Sequence, residues 1–191
     1  MKRYRTFIVL IVMAAFCFLA YFYVQTKDGT ETSKTVKEES ELSKLLNRDM
    51  DTNYPETPKE VVKLYSRFLV QFYNENLTEE ELEILAQKSQ KLMDTELLEK
   101  NPYDRYIQNL KEDIEKNDSE GRTISNYIVG NSYEVEYKTF QGRYYAKLKC
   151  VYYCKSKSGT EKTLQEYTLR KDDKGKWKLL FWNLAQESED E

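Results

Sequence analysis

The chain has 191 residues, with 30 Lys and Arg against 33 Asp and Glu, a net charge of −3 and no histidine. A near-neutral balance without a basic run excludes a nucleic-acid partner, which needs a positive stripe to displace counterions. The missing histidine removes the commonest general base and the commonest nitrogen ligand for a metal.

Phe7 to Val24 is an uninterrupted run of eighteen uncharged, mostly large apolar residues. As a helix it spans roughly 27 Å, close to the hydrocarbon thickness of a bilayer. Tyr4 before it and Tyr21 and Tyr23 near its end suit the two interfaces. Lys2, Arg3 and Arg5 precede it and only Lys27 follows closely, which predicts a cytoplasmic N-terminus and an exported remainder. A cleaved signal needs a small-x-small site, but Phe18 lies two places before Ala20. A lipid-modified Cys17 needs a small residue before it, and Phe16 stands there. The expectation is an uncleaved anchor over residues 1–24, making the protein a single-pass cell-membrane protein with its domain outside.

Residues 25–55 are polar and charged, too poor in apolar side chains to offset ordering entropy, and read as a tether. Leu42, Leu45 and Leu46 allow a short helix inside Glu41–Met50. The domain proper is expected over residues 56–185, with an acidic tail at 186–191.

Thr57, Pro58 and Glu60 form a capping-box start for a long helix with Val61, Leu64, Tyr65, Phe68, Leu69 and Phe72 on one face. Asn74 to Asn76 ends it. Thr78 and Glu81 start a second helix, with Leu82, Leu85, Ser89 and Leu92 along one side. Leu97 and Leu98 belong to a short third helix. Asn101-Pro102 is expected to cap a fourth, which turns Tyr103, Tyr106, Ile107, Leu110 and Ile114 inward and stops at Asn117–Gly121. Asn76-Leu77-Thr78 and Asn117-Asp118-Ser119 match a glycosylation pattern, but both fall at helix borders where capping residues belong.

From Thr123 the period becomes that of strands. A two-residue loop at Gln141-Gly142 sets Tyr137 opposite Ala146, Val135 opposite Leu148 and Tyr133 opposite Cys150 on one face. The other face then pairs Glu136 with Lys147 and Glu134 with Lys149, a double consistency that a one-residue slip would lose. Gly130-Asn131 permits a bend, and Ser156–Thr160 turns the chain again. A three-residue turn ending at Gly175 sets Leu169 opposite Leu179 and Tyr167 opposite Phe181, with Trp177 on the same side.

Helices followed by strands read as α+β: an N-terminal transmembrane helix, then three to four helices packed on a curved, cone-like antiparallel sheet. The helices over 57–117 and the Tyr-rich hairpins ending in Gly175-Lys176-Trp177-Lys178-Leu179 resemble the nuclear-transport-factor-2-like (cystatin-like) domain. Thr57-Pro58-Lys59-Glu60-Val61-Val62, Asn101-Pro102-Tyr103-Asp104 and Val135-Glu136-Tyr137-Lys138 are similar to an uncharacterised family of membrane-anchored proteins of Gram-positive bacteria. The resemblance covers about residues 56–184 and implies a fold and a compartment, not an active site.

Candidate chemistry is sparse. Cys150 and Cys154, four residues apart in a strand, lie roughly 13 Å apart, too far to bridge. With three cysteines and no histidine, neither a metal site nor a cofactor is expected. Tyr133, Tyr137, Tyr144 and Tyr152 share one sheet face, with Tyr167 a further member, and are the candidate pocket lining for a flat or amphipathic ligand. The competing reading is that these rings fill the core.

The resemblance also brings isomerases and dehydratases, which use a carboxylate base with a tyrosine donor, or a histidine. No such pair can be placed here, so no catalytic residue is assigned. Conjugation and type IV secretion channels likewise use singly anchored subunits of this fold. The expected function is a noncatalytic extracytoplasmic binding module with a protein or envelope partner, the alternatives being an envelope-channel scaffold subunit and a small-ligand carrier or enzyme using the tyrosine pocket.

Overall fold

The computed structural model of the chain describes residues 39–185. The apolar stretch 7–24, Cys17, most of the tether and the tail 186–191 lie outside the described residues. Among the described residues no helix is long and apolar enough to cross a membrane.

The folded unit starts at Glu41. Helix α1 spans Glu41–Leu46. The segment up to Pro55 differs from the expected polar tether, because Leu45 and Met50 enter the main core at 0% and 3% exposure. Lys88 Nζ donates to the carbonyls of Leu46 and Arg48 at 2.5 and 2.6 Å, and Tyr54 Oη donates to Trp177 O at 2.7 Å. A few fully buried side chains and distant polar partners hold a segment whose average composition is hydrophilic.

Helix α2 (Pro58–Asn74) starts with the expected Thr57–Glu60 capping box and buries Val61, Leu64, Tyr65, Phe68 and Phe72. Burying each such side chain contributes about 1.5–3 kcal/mol. Helix α3 (Glu79–Gln90) starts with the Thr78–Glu81 box. Helix α4 (Thr95–Lys100) is capped by Asp94, whose side chain accepts from Glu96 N at 3.0 Å. Helix α5 (Tyr103–Glu120) ends at Gly121 in the left-handed region, φ 61°. Its expected Asn101 cap is not formed. Pro102 takes the cap position with no side-chain bond, and Asn101 closes α4 instead, donating from Nδ2 to Leu97 O at 3.3 Å.

Among the described residues, five strands form one open antiparallel sheet: β1 (Thr123–Val129), β2 (Glu136–Phe140), β3 (Arg143–Ser156), β4 (Gly159–Lys171) and β5 (Trp177–Leu184). The order is β1-β3-β4-β5, and β2 pairs with β3 beyond the end of β1. α2 packs across β1, β3 and β5 and is flanked by α3 and α5. Asn74 at its end clamps β1: its Nδ2 donates to Ile124 O and its Oδ1 accepts from Ile124 N, both at 2.9 Å.

The β2–β3 hairpin has the expected two-residue loop. Gln141 and Gly142 both have positive φ, 49° and 73°, the signature of a type I′ turn. Glu136 opposes Lys147 and Tyr137 opposes Ala146. The ladder then stops, so the expected Tyr133–Cys150 and Glu134–Lys149 pairs are not formed. Ser132–Glu134 is a 3-10 turn, and Glu134 Oε2 accepts from Asn131 N. Gly130 N donates to Lys149 O at 2.8 Å, so close to β3 that an added Cβ would lie 3.2 Å from that oxygen. Val129 of β1 takes the place opposite Cys150.

The last hairpin begins as expected, with Gly175 at φ 77° and Leu169 opposite Leu179. A bulge then shifts the register, so Tyr167 opposes Trp182 rather than Phe181. The extra residue on β5 turns Trp182 inward and leaves Phe181 half exposed, opposite Thr168. The free edge of β5 is partly covered by Leu92–Asp94: Leu179 N donates to Leu92 O at 2.8 Å and Asp94 N to Leu179 O at 2.7 Å.

Candidate functional site

Strand β3 has 14 residues and α2 has 17. Fully extended, that strand runs about 46 Å, against about 26 Å for the helix. The helices therefore cover only part of the sheet's inner face, and the candidate tyrosines divide accordingly. Tyr152 and Tyr167 are buried beneath the helices, at 3% and 0% exposure. Tyr137 and Tyr144 lie on the same face beyond the helices, more than half exposed. Tyr133 leaves the face altogether on the 3-10 turn. The five do not converge on one pocket.

A cleft of about 490 Å³ opens at the covered end, between α2, α5 and the sheet. Tyr65, Leu69 and Tyr73 come from α2; Tyr106, Leu110 and Asp113 come from α5. The sheet supplies Ile124, Tyr152, Cys154, Gln165 and Trp182. Tyr65, Tyr167 and Trp182 form a ring cluster beside it, with centroids 5.3–6.1 Å apart.

The inner end of the cleft holds a chain of hydroxyls. Ser66 Oγ is 2.7 Å from Tyr152 Oη, which is 2.8 Å from Tyr167 Oη, which is 2.6 Å from Gln165 Oε1. Ser66 Oγ also lies 2.9 Å from Val62 O and 3.8 Å from Cys150 Sγ. Each hydroxyl carries one proton, so two polarities satisfy the chain. Protons point outward from Ser66 to Gln165 Oε1, or, with the Gln165 amide turned over, inward to Val62 O. Tyr152 and Gln165 present this chain to the cleft.

Burial keeps these phenols neutral. It pushes Tyr73 up to about 12, with Asp113 adding to the shift, and Tyr106 up to about 12 against the hydrogen bond from Ser89. Tyr65, Tyr152 and Tyr167 are raised further, again chiefly by burial. Burial also raises the Cys150 thiol, opposed by its bonds to Tyr152 and Ser66. Lining charges sit at the mouth and balance: Asp113 and Glu120 against Lys116 and Arg122. Cys150 and Cys154 are free thiols. Among the described residues no group of His, Cys, Asp or Glu could hold a metal ion.

Sequence reasoning missed Tyr65, Tyr73, Trp182, Gln165 and Asp113 as cleft residues. Tyr65 and Tyr73 lie eight positions apart, on one helix face, and that was the available signal. Trp182 had none, because only the bulge turns it inward.

One family model, a domain of unknown function, matches residues 1–182. The chain belongs to this DUF6715 family. The DUF6715 match takes in the apolar stretch 7–24 together with α1–α5 and nearly all of the sheet. A comparison with curated proteins returned no match.

Proposed function

We propose that this DUF6715 protein is a noncatalytic binding module held outside the cell by the single span 7–24, and that its cleft takes a small uncharged ligand with a flat apolar face. The observation that carries this reading is the open cleft with a wall of tyrosine and tryptophan rings and the Gln165 amide at its inner end. Neutral phenols and amides donate and accept hydrogen bonds without demanding a charged partner, and the balanced mouth favours neither sign. The family match across both the apolar stretch and the folded unit supports treating the two as one functional chain. The order of helices then strands, with helices packed against an open antiparallel sheet, supports the cone-like, nuclear-transport-factor-2-like reading of the fold. A protein or envelope partner would meet the outward-facing domain.

The test uses the full chain in detergent micelles, titrated with uncharged aromatic amides and simple sugars. Saturable change in Trp182 fluorescence, lost in Trp182→Phe, is the expected result. No saturable response to any of them sinks the ligand reading. Turnover of a bound ligand that disappears in Asp113→Asn would instead favour the isomerase-like alternative, since Asp113 and Tyr73 line the same cleft. Protease digestion of the domain on intact cells checks the orientation. Digestion only after lysis overturns it.

A further inference from the structure

The end of the sheet left uncovered by the helices carries a second surface. All five residues of β2 are exposed, and Tyr137, Phe140 and Tyr144 are 62%, 54% and 59% exposed. Strand alternation puts Tyr137 and Tyr144 on the inner face of the hairpin and Phe140 on the outer face, so rings flank the Gln141-Gly142 turn on both sides. Trp177 supports them from β5, its ring centroid 5.9 Å from that of Tyr137. Tyr137, Tyr144 and Trp177, with Lys138, Thr139, Tyr145 and Lys171, line a shallow hollow of about 260 Å³, which Phe140 does not enter.

The charge here departs from the rest of the chain. The only ionisable groups around the hollow besides tyrosines are Lys138 and Lys171, and Lys171 Nζ lies 5.3 Å from the Trp177 ring centroid. Arg143 flanks the turn, and neither it nor Lys138 makes an ion pair among the described residues. Lys176 and Lys178 stand alongside, over the Tyr54 ring at 4.7 and 4.4 Å. The nearby acids include Glu136, Asp172 and Asp173, and also Asp94 and Glu96, which Arg170 engages opposite Tyr145. Asp172 Oδ1 is occupied by the amides of Lys174 and Lys176. The whole chain carries −3, yet this end is cationic.

We propose that the β2–β3 hairpin docks on an anionic lipid surface, its tip rings entering the interface while Lys138, Arg143 and Lys171 meet the headgroup charges. Tyrosine, tryptophan and phenylalanine beside lysine and arginine are the residue set that an interface favours, and a tight turn lets a hairpin present them at its tip. The docking rests on the reading that residues 7–24 sit in that same membrane. The chain between Val24 and Glu41 then limits the distance from span to folded unit to about 60 Å at full extension. That confinement favours the bilayer over a diffusing acidic protein as the occupant.

The experiment reconstitutes the full chain into nanodiscs of phosphatidylcholine, with or without phosphatidylglycerol, that carry a paramagnetic headgroup label. Loss of the amide signals of Phe140–Arg143 is expected in the anionic discs, with Asn109 on α5 as the unaffected reference. Raised salt or Lys138→Glu with Arg143→Glu should restore the signals. If the chain enters the discs but the turn signals survive at low salt, the docking is overturned and the anchor stands. Equal loss in discs without phosphatidylglycerol overturns the anionic preference. Displacement of the hairpin from the anionic discs by polyglutamate would assign the surface to an acidic protein and overturn the lipid. Failure of the chain to enter either disc overturns the anchor and the docking with it.

Discussion

Tyr152 Oη and Tyr167 Oη meet at 2.8 Å in the core, joining β3 to β4 through side chains fifteen positions apart. Both hydroxyls also have outer partners, Ser66 and Gln165, so each tyrosine serves as donor and acceptor. Tyr152→Phe leaves Ser66 and Tyr167 short of a partner and should cost about 1–3 kcal/mol, as should Tyr167→Phe. The double variant should cost less than the sum of the two, because the shared bond is lost only once. Urea denaturation of the four proteins measures the coupling, and strict additivity would show that the chain is not one network.

Arg170 and Asp94 form a buried pair, with side chains 7% and 4% exposed. The guanidinium engages both carboxylate oxygens, Nε to Oδ2 at 3.0 Å and Nη2 to Oδ1, and reaches Glu96 through Nη1 at 2.5 Å. Asp94 also caps α4. Asp94→Ala leaves the buried guanidinium with only the half-exposed Glu96, removes the cap of α4, and should destabilise the fold by about 3–5 kcal/mol. Glu96→Ala, which removes a half-exposed partner, should cost much less. Equal losses in thermal denaturation would refute this ranking.

Alkaline pH should unfold the domain. An exposed tyrosine titrates near pH 10, whereas burial holds Tyr73 and Tyr106 at about 12 and Tyr65, Tyr152 and Tyr167 higher still. Above the unfolded value the native state keeps protons that the unfolded chain has released. The stability from these buried phenols is therefore complete below about pH 10 and is lost as pH rises through the folded values. Tyrosinate absorbance should rise in two stages, the second coinciding with loss of circular dichroism. A single stage with structure intact would contradict it.

Leu45→Ala tests whether the segment ahead of Pro55 belongs to the fold. Leu45 has no exposed surface, so its truncation should cost about 2–5 kcal/mol. A passive tether would give no change in the denaturation midpoint. Lys88→Met should weaken the same segment by removing the ammonium from the Leu46 and Arg48 carbonyls.

The amino-acid sequence by itself determined what depends on neighbours in the chain. Thr57 with Glu60 and Thr78 with Glu81 capped their helices as read, because a capping box closes within one turn. Gln141-Gly142 set the register of Tyr137 against Ala146, and Gly175 that of Leu169 against Leu179, because a tight turn dictates the pairs next to it. That local authority ran out within a few residues.

Tertiary structure alone decided the rest. The bulge after Leu179 turned Trp182 into the cleft wall, and the 3-10 turn at Ser132–Glu134 removed Tyr133 from the sheet face. Tyr152 and Tyr137 share that face and the same residue type, yet one is buried and the other exposed, because helix coverage ends between them. Strand periodicity specifies a side, but the position of a helix packed from elsewhere in the chain specifies which part of that side is core, which is cleft and which is left open.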